Sequence, residues 1–333
     1  MKKEFPIFLF SLILTLMLTG CIQKGERGNI SKTAAISYAP YPSFYAEIVL
    51  PPIKSIAVNE KLPVKLSIYN QGEEDMLIRW VRVEGSTSGL AIYPSPKIEI
   101  NKKVKPGRFL RTYFNITPYI TPWEQVSKTL YFSVCYDYKS IIEIQDIYLT
   151  TSEESYLEKK DLKLKSPKSK SPVVIEVEEF KNGITIPLKS AYLLKRKGNY
   201  YEVDLDLSIR IRNLGKGKVF KECKNLQKGL KSLILEFWFP PEVDVSIPVD
   251  ENPDIEQGGV SIEEEEAYKK VRIEIKKTSL EYLSSLDEIN PIIHLKIKTK
   301  EEFEGAFTIR AETSFSYRDI MKDASFTLTI TER

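Results

Sequence analysis

The sequence predicts an all-β protein of two tandem antiparallel sandwiches, the second enlarged by an insertion with one or two short helices. Three observations carry this. Apolar and polar residues alternate with period two along most of the chain, which is the pattern of half-buried strands. A strand ending in Asn-x-Gly occurs twice, and a tyrosine-bearing strand follows each copy in the same order. The 333 residues exceed the ~100–200 of one typical domain. A hydrophobic content of 42% with 11% aromatics is enough for packed cores.

The chain opens with Met1-Lys2-Lys3 and an apolar run over 5–18, a charged start and an h-region of export-signal type. Starting from the last residue of that run, Leu18-Thr19-Gly20-Cys21 resembles the lipobox of prokaryotic lipoproteins. That resemblance implies a signal peptide over 1–20 and a lipid on Cys21. An uncleaved signal anchor is the alternative, because residues 5–22 approach the ~18–20 apolar residues of a spanning helix. Both readings put the remainder outside the cytoplasm. Residues 21–41 show neither period and read as a membrane tether of ~25 Å reach as a coil. Tyr38, Tyr41, Phe44 and Tyr45 are expected to pack an entering strand, the alternative being an interfacial patch on lipid.

The first sandwich spans 42–151. Val64, Leu66 and Ile68 alternate with polar partners until Asn70-Gln71-Gly72, which supplies the turn conformations that stop a ladder. Further alternating runs lie at 76–83, 97–100, 109–116, 129–136 and 141–149, and Trp80 is expected in the core. A charged linker, extended by self-repulsion, covers 152–171. The second sandwich, 172–333, repeats the plan. Ile209-Arg210-Ile211-Arg212-Asn213-Leu214-Gly215 lies over Leu66-Ser67-Ile68-Tyr69-Asn70-Gln71-Gly72. Ser314-Phe315-Ser316-Tyr317 echoes Cys135-Tyr136-Asp137-Tyr138, and each is followed by a last strand, 144–149 or 325–330. The interval between the two landmarks is longer in the second copy, which locates the insertion. Cys223, Leu226, Leu230 and Leu233 fall near one helical face, and Thr278-x-x-Glu281 is a capping-box pattern before Leu283 and Leu286.

The repeated strand ending in Asn-x-Gly resembles the immunoglobulin-like modules of prokaryotic cell-surface proteins, including CARDB-type adhesion-related domains. The resemblance implies two tandem immunoglobulin-like sandwiches over 42–333 and a role in binding, spacing or assembly rather than catalysis. Abundant Lys and Glu with one His suggest a heat-adapted, archaeal source.

Little else in the chain carries chemistry. A net charge of +3 from 49 basic and 46 acidic residues argues against nucleic acid as a partner. With Cys21 taken by the lipid, Cys135 and Cys223 are left as a disulfide or as two free thiols. No C-x-x-C, phosphate loop or dinucleotide fingerprint is present, and no cofactor is predicted. His294, the sole histidine, lies on the polar face of a strand with Lys296 and Lys298. Asp250, Glu251, Asp254 and Glu256 could wrap calcium, but a solvated acidic loop explains them without an ion. Asn29 and Asn115 sit in glycosylation patterns. Tyr119, Trp123 and Trp238 form the candidate contact patch. The expected function is a lipid-anchored extracytoplasmic adhesion, scaffold or envelope-complex protein without catalytic activity. Its partners would be the membrane, through the lipid, and a protein or glycan of the envelope. The alternatives are a lipoprotein that captures a sugar or peptide for a transporter, and a β-sandwich hydrolase acting through carboxylates.

Overall fold

The computed structural model describes residues 34–41, 43–52, 55–120, 125–164, 170–275 and 288–331. The first copy contributes β1 (Ala34–Tyr41), β2 (Phe44–Leu50), β3 (Ser55–Ala57), β4 (Leu62–Asn70), β5 (Met76–Gly85), β6 (Leu90–Tyr93), β7 (Lys97–Val104), β8 (Phe109–Pro118) and β9 (Val126–Thr150). Helix α1 (Glu153–Lys159) leads to β10 (Val173–Lys181), β11 (Ile184–Pro187), β12 (Ala191–Leu193), β13 (Lys195–Lys197), β14 (Tyr200–Asn213) and β15 (Lys218–Phe220). Then come β16 (Ser232–Phe239), β17 (Asp244–Ser246), β18 (Ile255–Glu264), β19 (Lys269–Ile275), β20 (Glu288–Ile289), β21 (Ile292–Thr299), β22 (Glu304–Ile320) and β23 (Phe326–Thr331). The fold is all-β, as the alternation requires.

Two cover sheets lie on one shared sheet. The first cover sheet has the order β1-β2-β4-β8-β6 and the second β11-β10-β14-β21-β17. The shared sheet runs β18-β19-β16-β22-β9-β23-β3, with β5 on the other edge of β9 and β7 beyond it. Most inward positions of all three are apolar, and the buried apolar side chains form one contiguous core through both halves. Tyr136 stacks on Phe44 at 5.5 Å and meets Tyr317 at 5.8 Å, so the core does not stop at the boundary between copies.

The two copies are joined by their tyrosine strands. β9 and β22 pair antiparallel from Ser133↔Ile320 to Thr150↔Glu304. In this register Tyr136 faces Tyr317 and Tyr138 faces Phe315, on either side of Asp137↔Ser316. The sequence repeat places Tyr136 on Phe315, Asp137 on Ser316 and Tyr138 on Tyr317. The pairing therefore maps onto itself, and a pseudo-twofold axis passes through Asp137 and Ser316.

That axis has a topological consequence. Sequence leads one to expect each copy to close its own sandwich with its last strand, but the structure exchanges those strands. The distal part of β9 lies beside β22 in the second half, while β23 pairs with β9 and, in parallel, with β3 in the first. The parallel pairing of β12 with β9 is the counterpart of β3 with β23. The local reason is visible at Lys139-Ser140-Ile141 and Arg318-Asp319-Ile320: neither holds the Gly, Pro or Asn that a return turn needs. The strand runs on instead of folding back.

Each Asn-x-Gly landmark is a turn locked to its tyrosine. Asn70 Nδ2 donates to Glu74 O at 2.7 Å and to Val104 O at 2.8 Å, while Gly72 N donates back to Asn70 Oδ1 at 3.0 Å. In the second copy Asn213 Nδ2 donates to Gly217 O at 3.0 Å and Gly215 N to Asn213 Oδ1 at 3.1 Å. The Tyr138 hydroxyl accepts from Glu74 N at 3.3 Å, and that of Tyr317 from Gly217 N at 2.7 Å. A Cβ on Gly72 would lie 1.9 Å from Tyr138 Oη, and one on Gly215 2.1 Å from Tyr317 Oη. Close approach of the ring, not backbone conformation, is what fixes glycine here.

Several boundaries differ from those expected. Residues 34–41, assigned to the tether, form β1, because Tyr38 and Tyr41 have buried partners in the first half. The stretch assigned to a linker begins with α1, capped by Ser152, and Lys159 in its last turn is ion-paired with Glu304. The helical face expected at Cys223, Leu226, Leu230 and Leu233 is an irregular excursion that ends at β16; Leu226 and Gly229 have φ of 50° and 108°, which no α-helix accommodates. The helix expected after Thr278 lies outside the described residues.

Candidate functional site

The pseudo-twofold axis emerges on the outer face of the shared sheet in a groove between the two halves. Alternation puts Tyr136 and Tyr138 into the core and leaves Cys135, Asp137 and Lys139 on the outer side of β9. On β5 a bulge between Ile78 and Trp80 sets two residues against one of β9, so Arg79 and Trp80 both reach that face. Opposite, on β7, Asn101 takes φ 49° at the matching irregularity. The excursion over 221–231 folds along the second side. Two adjoining cavities of about 510 and 400 Å³ result, and both are lined by Asp137, Lys231 and Ser316. These are the dimensions of ordinary ligand pockets.

The floor is a polar cluster. Ser316 Oγ donates to Asp137 Oδ1 at 2.5 Å, and Arg79 closes on Oδ2 through Nε at 2.7 Å and a terminal nitrogen at 2.6 Å. One wall is covalent: Cys135 and Cys223 form a disulfide, with Cα atoms 5.8 Å apart, that ties the excursion of the second copy to β9 of the first. Trp80 packs on this disulfide and donates Nε1–H to Cys223 O at 3.1 Å. Lys97 and Arg318 lie over its ring at 5.2 and 5.7 Å, and Arg318 is held by Glu84 at 2.6 Å. Trp80 is thus buried as expected, but against the disulfide on the outer face rather than in the main core.

Cations and carboxylates alternate along the groove. Lys103 pairs with Asp75 at 3.1 Å and Lys139 with Glu312 at 2.5 Å, whereas Lys224 and Lys231 pair with no carboxylate among the described residues. Partial burial, then the nearby Glu312 carboxylate, push the Glu74 carboxyl above the usual range. Such a surface matches a polar, hydrogen-bonding ligand with some negative charge. Sequence reasoning did not single out Arg79, Asp137 or Lys231. The one signal available was that Asp137 sits at the centre of the repeated tyrosine motif.

The other candidate residues lie elsewhere. Cys21, Asn29 and Trp123 are outside the described residues. Asn115 is half-buried on β8 between Pro63 and Tyr93. Tyr119 is exposed at the end of β8, while Trp238 is half-buried on β16 beneath Lys270; the proposed patch is therefore divided between the two halves. In the acidic loop Glu251 is taken by Lys296 at 3.0 Å, and buried Asn252 pins the loop to the backbone of His294. Asp250 is exposed on a short 3-10 turn, Asp254 follows Asn252, and the Glu256 side chain lies outside the described part. Among the described residues no three His, Cys, Asp or Glu side chains group as metal ligands. His294 bonds Asp206 across the strand at 2.7 Å on the second cover sheet, away from the groove. No helix among the described residues is long and apolar enough to cross a membrane.

No protein-family model matches the chain, and no curated protein matches it. Solved structures align with it at low overlap. The major pilin SpaA of Corynebacterium diphtheriae aligns at 8% identity over 69% of this chain and 54% of its own, with a TM-score of 0.22. The secreted serine protease VesC from Vibrio cholerae aligns at 10% identity over 82% and 50%, with a TM-score of 0.16. The collagen adhesin of S. aureus aligns at 11% identity over 91% and 93%, with a TM-score of 0.12. The chain spans about half the length of the first two.

Proposed function

We propose that this chain is a lipid-anchored, extracytoplasmic scaffold or adhesion component of a cell envelope that works by binding, not catalysis. The observation that carries the reading is the disulfide-walled groove at the pseudo-twofold axis. A disulfide of this kind suits an oxidising compartment, in keeping with the leader and Cys21. Exchange of the last strands makes one stiff body of two sandwiches, the property a scaffold needs. The partner is a protein or glycan of the envelope that meets Lys224 and Lys231. The test is crosslinking in native membranes, comparing wild type with the Lys224→Glu/Lys231→Glu double variant. A partner captured by wild type and lost in the variant is expected; a wild-type chain that captures nothing sinks the reading.

The cavities favour one second reading, capture of a sugar or short peptide for a transporter. A small ligand filling the groove at a hundredfold excess over its Kd would stabilise the fold by ~2.7 kcal/mol. Thermal shifts across sugar and peptide panels separate the two: a flat response leaves the macromolecular partner.

A further inference from the structure

The outer face of the first cover sheet is aromatic where an exposed sheet face is ordinarily polar. Tyr45, Tyr69 and Phe109 occupy one cross-strand row with ring centroids 5.2 and 5.3 Å apart, and Arg111 lies 4.5 Å over the Phe109 ring. In that row Phe109 is 46% exposed, and toward the other end of the sheet the rings are more open, Tyr113 at 62% and Tyr93 at 71%. Tyr119 and Ile120 continue beyond the end of β8, both exposed.

That open end is where the chain enters. β1 is the edge strand of this sheet, and its pairing puts Ala35 in the row of Val49, Lys65 and Tyr113. Tyr93, opposite Asn115, is in the next row. Only residues 22–33 separate Cys21 from β1, a length that spans ~19 Å as a coil and at most ~45 Å extended. A lipid on Cys21 would therefore hold this end of the sheet within reach of the bilayer. Tyrosine, with an apolar ring and a polar tip, belongs at the headgroup boundary, and Lys65 and Arg111 supply the charge that anionic headgroups attract.

We infer that the aromatic face of the first cover sheet, at the end carrying Tyr93, Tyr113 and Tyr119, rests on the headgroup layer of the membrane. This rests on the lipid-anchor reading, and it adds an orientation: the molecule lies against the bilayer on that face instead of swinging from its tether, and the groove on the opposite side of the first sandwich is turned outward.

The test uses the full lipidated chain in vesicles of equal parts phosphatidylcholine and phosphatidylglycerol with spin-labelled lipid. Cys21 and the disulfide leave no free thiol, so Tyr113→Cys, Tyr93→Cys and, as the distant control, Ile184→Cys each carry one environment-sensitive fluorophore. Probes at 113 and 93 are expected to shift to the blue and to be quenched by lipid about threefold more than the probe at 184. Chains that float with the vesicles but show equal quenching at all three sites overturn the orientation while leaving the anchor intact. Chains that do not float overturn the anchor and the orientation together. Probes at 113 and 93 that ignore lipid but respond to soluble envelope polysaccharide overturn the membrane assignment in favour of a glycan platform.

Discussion

The first cover sheet turns Tyr45, Tyr69, Phe109, Tyr113 and Tyr93 to its outer face. The second, built on the same plan, presents an ionic lattice there: Arg212 with Glu176 at 2.5 Å, Arg210 with Glu178 at 3.4 Å and His294 with Asp206 at 2.7 Å. The interiors differ as well, and one of the differences is charged. Asp319 faces the core of the first half and accepts from Tyr38 at 2.7 Å and Tyr41 at 3.0 Å; its counterpart in the repeat is Ser140. The turn, the tyrosine anchor and the strand exchange are common to both copies, and these are the features that close a core. Outer faces, which contribute little to closure, have been free to diverge.

The sharpest way to break this comparison is to delete β23. In a simple tandem, removal of residues 325–333 would expose the second half. With exchanged strands it strips Phe326, Leu328 and Ile330 from the first, a loss of several kcal/mol at ~1.5–3 kcal/mol per buried side chain. Hydrogen exchange should rise in β3 and the start of β9 and stay low in β14 and β21; the reverse distribution would restore the tandem arrangement. Reducing the disulfide comes next. It closes a loop with a sequence separation of 88 residues, for which the chain-entropy model gives ~4.6 kcal/mol. The Cys135→Ser/Cys223→Ser variant should lose about that much in urea titrations and should loosen the groove wall before either cover sheet.

Asp319 sets a pH signature on one half alone. Burial, only partly offset by the bond from Tyr38, pushes its carboxyl up to about 6 from an ordinary value of 3.8. Between those values the native state keeps a proton that the unfolded chain releases, so stability falls as pH rises through the window. The contribution present below about pH 4 and lost above about pH 6 is on the order of 3 kcal/mol. Asp319→Asn should flatten the stability profile over that interval, and an unchanged slope would reassign the effect.

The smallest effect tests the equivalence of the copies. Tyr317→Phe leaves Gly217 N without its 2.7 Å partner in a buried site and should cost ~1–2 kcal/mol. Tyr138→Phe, where the bond from Glu74 N is 3.3 Å and only partly buried, should cost under ~1 kcal/mol. Equal losses would mean that the two anchors are more alike than their geometry suggests.

Much of this was legible. Period-two alternation predicts the strands because burial on one face requires it, and Asn70 to Gly72 with Asn213 to Gly215 marks the repeat because both turns need the same atoms. Other features were hidden for physical reasons. Alternation says which side of a strand is buried and nothing about which strand lies beside it, so exchange of the last strands could be read only from the missing turn at Lys139-Ser140-Ile141. The bulge that brings Arg79 and Trp80 to one face leaves no mark in the pattern. Nor does spacing distinguish two thiols from one disulfide, since Cys135 and Cys223 meet only because an excursion of the second copy crosses a strand of the first.

Sequence by itself determined the all-β class, the duplicated turn and tyrosine landmarks, and the apolar faces that build the core, because each is a local consequence of side-chain period and turn chemistry. Tertiary structure alone decided the pairing of Tyr136 with Tyr317, the twofold groove at Asp137 and Ser316, and the burial of Asp319 beneath Tyr38 and Tyr41. Those depend on contacts between residues far apart in the chain, where the free energy of closing one continuous core selects among arrangements that local propensity leaves equal.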